Sequence, residues 1–247
     1  ISWLYCRLSR RLMHFSLRDH AFMFLQGASL FALNYWLFYV SELTLTSGLA
    51  AVIFSTIVVM NLLNGAIFLK NRLEIRVIAG AFIGLLGIML VFWPEVTDFE
   101  SGSENLFAAA LAVLATFLAS IGNIASARNQ RAGIPVVQAN TFGMTYGALL
   151  MLGLSWATGR EFTFELTLPY VSSLAFLSVF ASIIAFWSYL TLLGRVGVER
   201  AAYATLIFPL VALGISTIFE GYQWTAYAGI GILLILAGNL LILKRPT

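Results

Sequence analysis

Apolar residues run through this chain in stretches of about 20, each closed by a short charged or turn-forming cluster, and that rhythm predicts membrane-spanning helices. The breaks define eight spans, at 21–43, 46–69, 75–94, 105–127, 134–157, 168–193, 199–219 and 223–243, with the end of a ninth at Ile1–Tyr5. The connections are short, so successive helices must be close-packed neighbours, and no linker or soluble domain interrupts them.

The pattern repeats 151 residues apart without a gap. Trp36 aligns with Trp187, Ala50-Ala51 with Ala201-Ala202, Ile67-Phe68 with Ile218-Phe219, Gly80 with Gly231 and Gly87 with Gly238. Paired tryptophans and glycines, together with hydropathy breaks in register, carry more weight than matching aliphatic residues. An internal repeat in a membrane protein is the mark of a secondary transporter whose halves rock about a shared site. The two repeats are expected at 1–103 and 104–247.

Composition agrees. The chain is 60% hydrophobic and 10% charged with a mean hydropathy of +0.92, against about 25% charged residues in soluble domains. Thirteen of the 14 basic residues fall on alternate connections, from Arg7, Arg10, Arg11 and Arg18 to Lys244 and Arg245, and only Arg160 lies on the other side. The intervening loops hold Glu42, Glu95, Asp98, Glu100, Glu104, Glu161, Glu165 and Glu220. By the positive-inside rule the basic side and the C-terminus are cytoplasmic, so a multi-pass membrane protein is expected. The single cysteine, Cys6, excludes an internal disulfide framework.

Shifted back by one repeat, the span at 134–157 has a partner ending near residue 6, and that at 105–127 has one wholly upstream. The repeat therefore predicts roughly 45 preceding residues and ten helices in two sets of five. An odd number per set inserts the halves in opposite orientation.

The run Phe31-Ala-Leu-Asn-Tyr-Trp-Leu-Phe-Tyr39, then Thr46-Ser-Gly-Leu-Ala-Ala-Val-Ile-Phe-Ser55 and Gly80-Ala-Phe-Ile-Gly-Leu-Leu-Gly87, resembles the first half of EamA-type members of the drug/metabolite transporter superfamily. Phe186-Trp-Ser-Tyr-Leu190, Gly194-Arg-Val-Gly-Val-Glu-Arg-Ala-Ala202, Phe208-Pro209 and Gly229-Ile-Gly231 resemble the second half. The resemblance covers nearly the whole chain and implies an all-α, ten-helix inverted-repeat fold, cytoplasmic termini and export of small metabolites, with the amino-acid exporters, aromatic ones included, as the favoured subgroup. It departs from the family at Val58, which stands opposite Pro209 where a matching proline is usual, and at Leu69-Lys-Asn-Arg-Leu73, where an acidic residue is often found.

No Asp, Glu, Lys, Arg or His lies well inside the eight spans; Glu42, Lys70 and Glu220 sit at ends. A charge in mid-membrane is costly and usually functional, so a proton-coupling carboxylate is not visible and an anionic substrate is disfavoured. What remains is neutral and aromatic. Asn34, Tyr35, Tyr39, Ser55, Ser120, Asn123, Trp187, Tyr189 and Tyr203 are the candidates for the transport path, because amides and hydroxyls in lipid need a partner or a wet cavity and ring faces attract aromatic or cationic solutes. For the hydroxyls, bonding to their own backbone or a neighbouring helix is the competing reading. Trp36, Pro209, Gly80 and Gly231 are candidate gating or hinge positions, with close helix packing as the alternative for the glycines and a static kink for the proline.

His14, Asp19 and His20 lack the spacing of a zinc motif, and no phosphate-binding loop or hydrolase motif is present. No cofactor, metal or nucleic-acid partner is expected; the partners are a small-molecule substrate and the lipid bilayer, and the protein is expected to be a monomer or weak homodimer. Two further readings stay open: export of cationic drugs within the same superfamily, and, in a different class, a non-transporting membrane scaffold or intramembrane enzyme.

Overall fold

In the computed structural model, residues 1–99, 102–159, 162–206 and 225–243 are described, together with Val211 and Ile218. Every regular element among them is helical: α1 (Ser2–Leu8), α2 (Leu17–Ser41), α3 (Ser47–Leu69), α4 (Ile75–Val91), α5 (Trp93–Thr97), α6 (Ser103–Arg131), α7 (Val136–Ala157), α8 (Leu168–Val196), α9 (Val198–Ala201, continued by a 3-10 turn, Ala202–Leu206) and α10 (Ala226–Leu243).

The helix ends follow from local chemistry. Ser16 starts α2 earlier than hydropathy suggests, its Oγ accepting from the Asp19 N–H at 3.2 Å, and Thr46 Oγ1 accepts from the Leu49 N–H at 3.3 Å to start α3; such caps satisfy amides that a first helical turn leaves unpaired. Helix α6 runs past the expected boundary to Arg131 and ends before Gly133, whose φ of 79° admits the reversal into Pro135 and α7. Midway along α3 the ladder breaks at Thr56, where Ser55 Oγ and Thr56 Oγ1 donate to the Val52 and Ile53 carbonyls, each at 2.6 Å. Hydroxyls bonding back onto the preceding turn compete with the helix's own amides and bend it.

Helices α2 and α8 each change to π geometry, at Ser29–Leu33 and at Leu177–Ile184. Moved by 151 residues, the second stretch covers 26–33 and contains the first. Such segments are frequent at functional sites.

Among the described residues four helices are long and apolar enough to cross a membrane, Leu17–Ser41, Ser47–Leu69, Ser103–Arg131 and Leu168–Val196, while Ile75–Val91 and Ala226–Ile242 are shorter apolar helices. The chain is thus an all-helical, polytopic membrane protein. Of the eight expected spans, α7 has the length but carries Gln138, Asn140, Thr141 and Thr145, and 199–219 falls largely outside the described residues, as does Pro209.

Packing is built on small residues. Gly27 on α2 lies against the backbone of Gly143 on α7, and Gly122 on α6 lies against Leu30. Helices α4 and α10 meet through two glycine pairs: a β carbon on Gly238 would stand 2.8 Å from the Gly80 carbonyl oxygen, and one on Gly87 would stand 2.6 Å from that of Gly231. Both distances are below van der Waals contact, so only hydrogen fits. In lipid, where apolar surface gains little from leaving its solvent, such close approach is what holds helices together. Leu62, Val77, Ala81, Ile88, Leu190, Leu206 and Ile235 form the central core between α3, α4, α8, the 3-10 turn and α10.

Candidate functional site

A cavity of about 530 Å³ opens between α2, α3, α6 and α8. Asn34, Tyr35, Phe38, Tyr39 and Glu42 line it from α2; Ala50, Ala51, Phe54 and Ile57 from α3; Ala119 and Asn123 from α6; Ala181, Ala185, Phe186 and Tyr189 from α8; and Thr205 from the 3-10 turn. The α2 set follows helical spacing along one face, so a single helix supplies an amide, three rings and a carboxylate. Glu42 and Ser47 are exposed at the mouth, while Asn34 and Asn123 are buried.

Asn123 Nδ2 donates to Tyr189 Oη at 3.2 Å and to Asn61 Oδ1 at 3.5 Å, tying α6 to α8 and to α3 behind the cavity wall. Among the described residues three buried polar atoms here have no partner: Asn34 Oδ1, Asn123 Oδ1 and Asn61 Nδ2. Buried amides are rarely left unmatched. Across the cavity, Phe31 of α2 meets Phe186 of α8 edge to face with centroids 4.9 Å apart.

At the basic end the helices are latched by polar contacts. Arg131 Nη1 donates to the Leu69 carbonyl at 2.9 Å and Nη2 to Asn71 Oδ1 at 2.6 Å, while Asn71 Nδ2 donates to the Glu199 carboxylate. Gln130 Nε2 donates to the Leu190 carbonyl at 2.9 Å. Arg200 pairs with Glu74 at 2.9 Å. These contacts join α3, α4, α6, α8 and α9 at the end remote from Glu42.

The sequence-predicted residues fall in different places. Asn34, Tyr35, Tyr39, Asn123 and Tyr189 come together on the cavity wall. Ser55 is buried and donates to its own helix, Ser120 accepts from Asn64 Nδ2 at 2.9 Å, and Tyr203 donates to the Val77 carbonyl at 2.6 Å; none of the three lines the cavity. Trp187 is half exposed on a separate, smaller cavity of about 260 Å³ beside Tyr5, Asn140 and Met144, and Trp36 is also part-exposed. Gly80 and Gly231 sit in the α4–α10 contact. Asp19 is paired with Arg128 at 2.8 Å and His20 Nδ1 with Tyr146 Oη at 2.7 Å, both at the α2–α6–α7 junction.

Sequence reasoning missed Glu42 as a lining residue, along with Phe38, Phe54 and Phe186. The signal was readable: Glu42 is eight residues beyond Asn34, on the stripe that also carries Phe38.

The profile of the EamA-like transporter family matches residues 3–93 and 106–244. Protein PagO of Salmonella typhimurium is 22% identical over 244 residues, covering 98% of this chain and 78% of that protein. A probable amino-acid metabolite efflux pump of the same organism is 23% identical, over 82% of this chain and 69% of its own length. The transporter YdfC of Bacillus subtilis is 25% identical, and the chain spans 65% of its length. A crystal structure of a protein 16% identical in sequence superposes with a TM-score of 0.80 over 98% of this chain and 82% of that one, which carries the fold alone.

Proposed function

Because the chain belongs to the EamA-like transporter family, we propose that it exports small net-neutral metabolites, foremost amino acids including aromatic ones, by alternating access across the bacterial inner membrane. The observation that carries this reading is the cavity. It is walled by α2 and α3 from the first half of the chain and by α6 and α8 from the second, and it is lined by rings and neutral amides. A site between two halves is what a rocking mechanism requires. Substrate enters from the basic, cytoplasmic side, where the C-terminus also lies, when the latch around Arg131 and Arg200 releases. The conformation here is open at Glu42 and closed at the latch.

The inverted 5+5 arrangement is supported by the glycine contacts. A two-fold axis that exchanges positions 151 apart turns a contact of Gly80 with Gly238 into one of Gly231 with Gly87, and both are present. The matching π segments of α2 and α8 support it independently. A relative described as a probable amino-acid metabolite efflux pump fits the substrate class. A non-transporting scaffold has no need of a polar, ring-lined cavity with unpaired amides.

The test is counterflow into proteoliposomes with a panel of neutral and aromatic amino acids and cationic drugs. Accelerated exchange of an amino acid is expected; no movement of any solute above empty liposomes overturns the reading.

A further inference from the structure

We infer that the cavity selects solutes bearing a protonated primary amine beside an apolar or aromatic body, with Asn34 and Asn123 taking the ammonium and Glu42 screening charge at the mouth. This rests on the transport reading for its biological meaning, though not for its chemistry.

Asn34 Oδ1 and Asn123 Oδ1 are carbonyl-type acceptors on residues 7% and 1% exposed, and neither has a partner among the described residues. An ammonium group brings three N–H donors and no acceptor, so it completes such a pair where a carboxylate, phosphate or carbonyl cannot. The orphan donor, Asn61 Nδ2, is not among the lining residues. The same cavity is lined by the rings of Tyr35, Phe38, Phe186 and Tyr189. Ring faces attract a cation and also stack on a flat substrate body.

The charge of the wall has one sign. Glu42 is the only ionisable acid or base among the described lining residues, tyrosines apart, so none of these is a Lys, Arg or His. At 1.5 Å of rise per residue, Glu42 stands about 12 Å along α2 from Asn34, too far for both to hold one ammonium. Their tasks therefore differ: Glu42, exposed, enriches cations and repels anions at the entrance, and the amides make the short bonds below. Free amino acids and their decarboxylated amines share this chemistry.

Direct binding to the purified full chain in detergent separates the possibilities, with tryptophan, tryptamine and indole-3-propionate as probes of one ring system. Tryptamine and tryptophan are expected to bind and indole-3-propionate to bind at least 10-fold more weakly. Asn34→Ala and Asn123→Ala are each expected to weaken tryptamine by about 10-fold or more, the scale of a hydrogen bond to a charged group; the Asn34 variant should keep the thermal stability of the tryptamine-free protein, while the Asn123 variant should also melt lower because it gives up its bonds to Tyr189 and Asn61. Glu42→Gln is expected to weaken tryptamine a few-fold at low salt and not at high salt, because an exposed charge is screened. Indole-3-propionate binding as tightly as tryptamine, or a salt-independent loss in Glu42→Gln, overturns the inference. Amine binding without counterflow of any solute would sink the transport reading and leave the amine site standing.

Discussion

Gly87 and Gly231 approach so closely across the α4–α10 contact that a β carbon on either would stand 2.6 or 2.5 Å from the other's carbonyl oxygen. Their counterparts, Gly80 and Gly238, do the same one helical stretch away. The contact leaves no room for side chains, and each helix backbone serves as the other's groove.

Gly87→Ala is therefore expected to force α4 and α10 apart and to cost about 1–3 kcal/mol, the usual range for overpacking. Gly229→Ala, where nothing lies within 4 Å of the added carbon, is the control. Thermal melting in detergent checks both, and equal melting temperatures for the two variants would refute the packing role of Gly87.

Tyr189→Phe removes the 3.2 Å acceptor of Asn123 Nδ2 and leaves that amide only the long 3.5 Å contact with Asn61. A lost hydrogen bond of this kind costs about 1 kcal/mol. Because Asn123 lines the cavity, the amide's freedom should appear as a several-fold rise in KM for whichever solute is exchanged. A stability loss with KM unchanged would mean that Asn123 is held for packing and not for binding.

The basic-end latch should fail at Arg131 before it fails at Arg200. The Arg200–Glu74 pair is exposed, with side chains at 37% and 46%, and such pairs contribute about 0.2–1 kcal/mol; Arg131 holds both the end of α3 and Asn71. Arg131→Gln is expected to speed labelling of a cysteine introduced at Ala127, in a Cys6→Ser background, by a membrane-impermeant maleimide. Glu74→Gln should change it less. The reverse order would assign closure to the Arg200 pair.

Much of this architecture was legible in the sequence. Helix positions followed from apolar length, but the starts at Ser16 and Thr46 and the stop at Gly133 came from capping and backbone geometry that hydropathy alone did not weigh. The four glycines of the α4–α10 contact stood out as repeat counterparts, Gly80 with Gly231 and Gly87 with Gly238, while the contact itself pairs Gly80 with Gly238 and Gly87 with Gly231. Asn34, Tyr35, Tyr39, Asn123 and Tyr189 were selected because a polar group in an apolar helix needs a reason, and they converge on one cavity. What could not be read was partnership across helices. Ser120 meets Asn64 and Tyr203 meets the Val77 carbonyl only once α3 and α4 are placed, so the hydroxyls that bond a neighbouring helix could not be told from those that line a cavity. Glu42 was passed over because a charge at a span end reads as loop, although it continues the stripe of Asn34 and Phe38 that lines the cavity.

Tyr203 separates burial from transport. Its hydroxyl donates to the Val77 carbonyl at 2.6 Å, the ring is 4% exposed in the core, and it joins the 3-10 turn to α4. Tyr203→Phe keeps the ring and removes one buried hydrogen bond to the Val77 carbonyl, so a loss of about 1 kcal/mol is expected. The KM for an exchanged solute should stay within two-fold of the parent, roughly the scatter of such measurements. Trp187→Phe is expected to behave likewise in KM, since Trp187 lines the smaller cavity beside Tyr5 and Asn140. A large KM change in Tyr203→Phe with stability intact would return that residue to the transport path and require a second conformation in which the 3-10 turn swings its ring into the cavity.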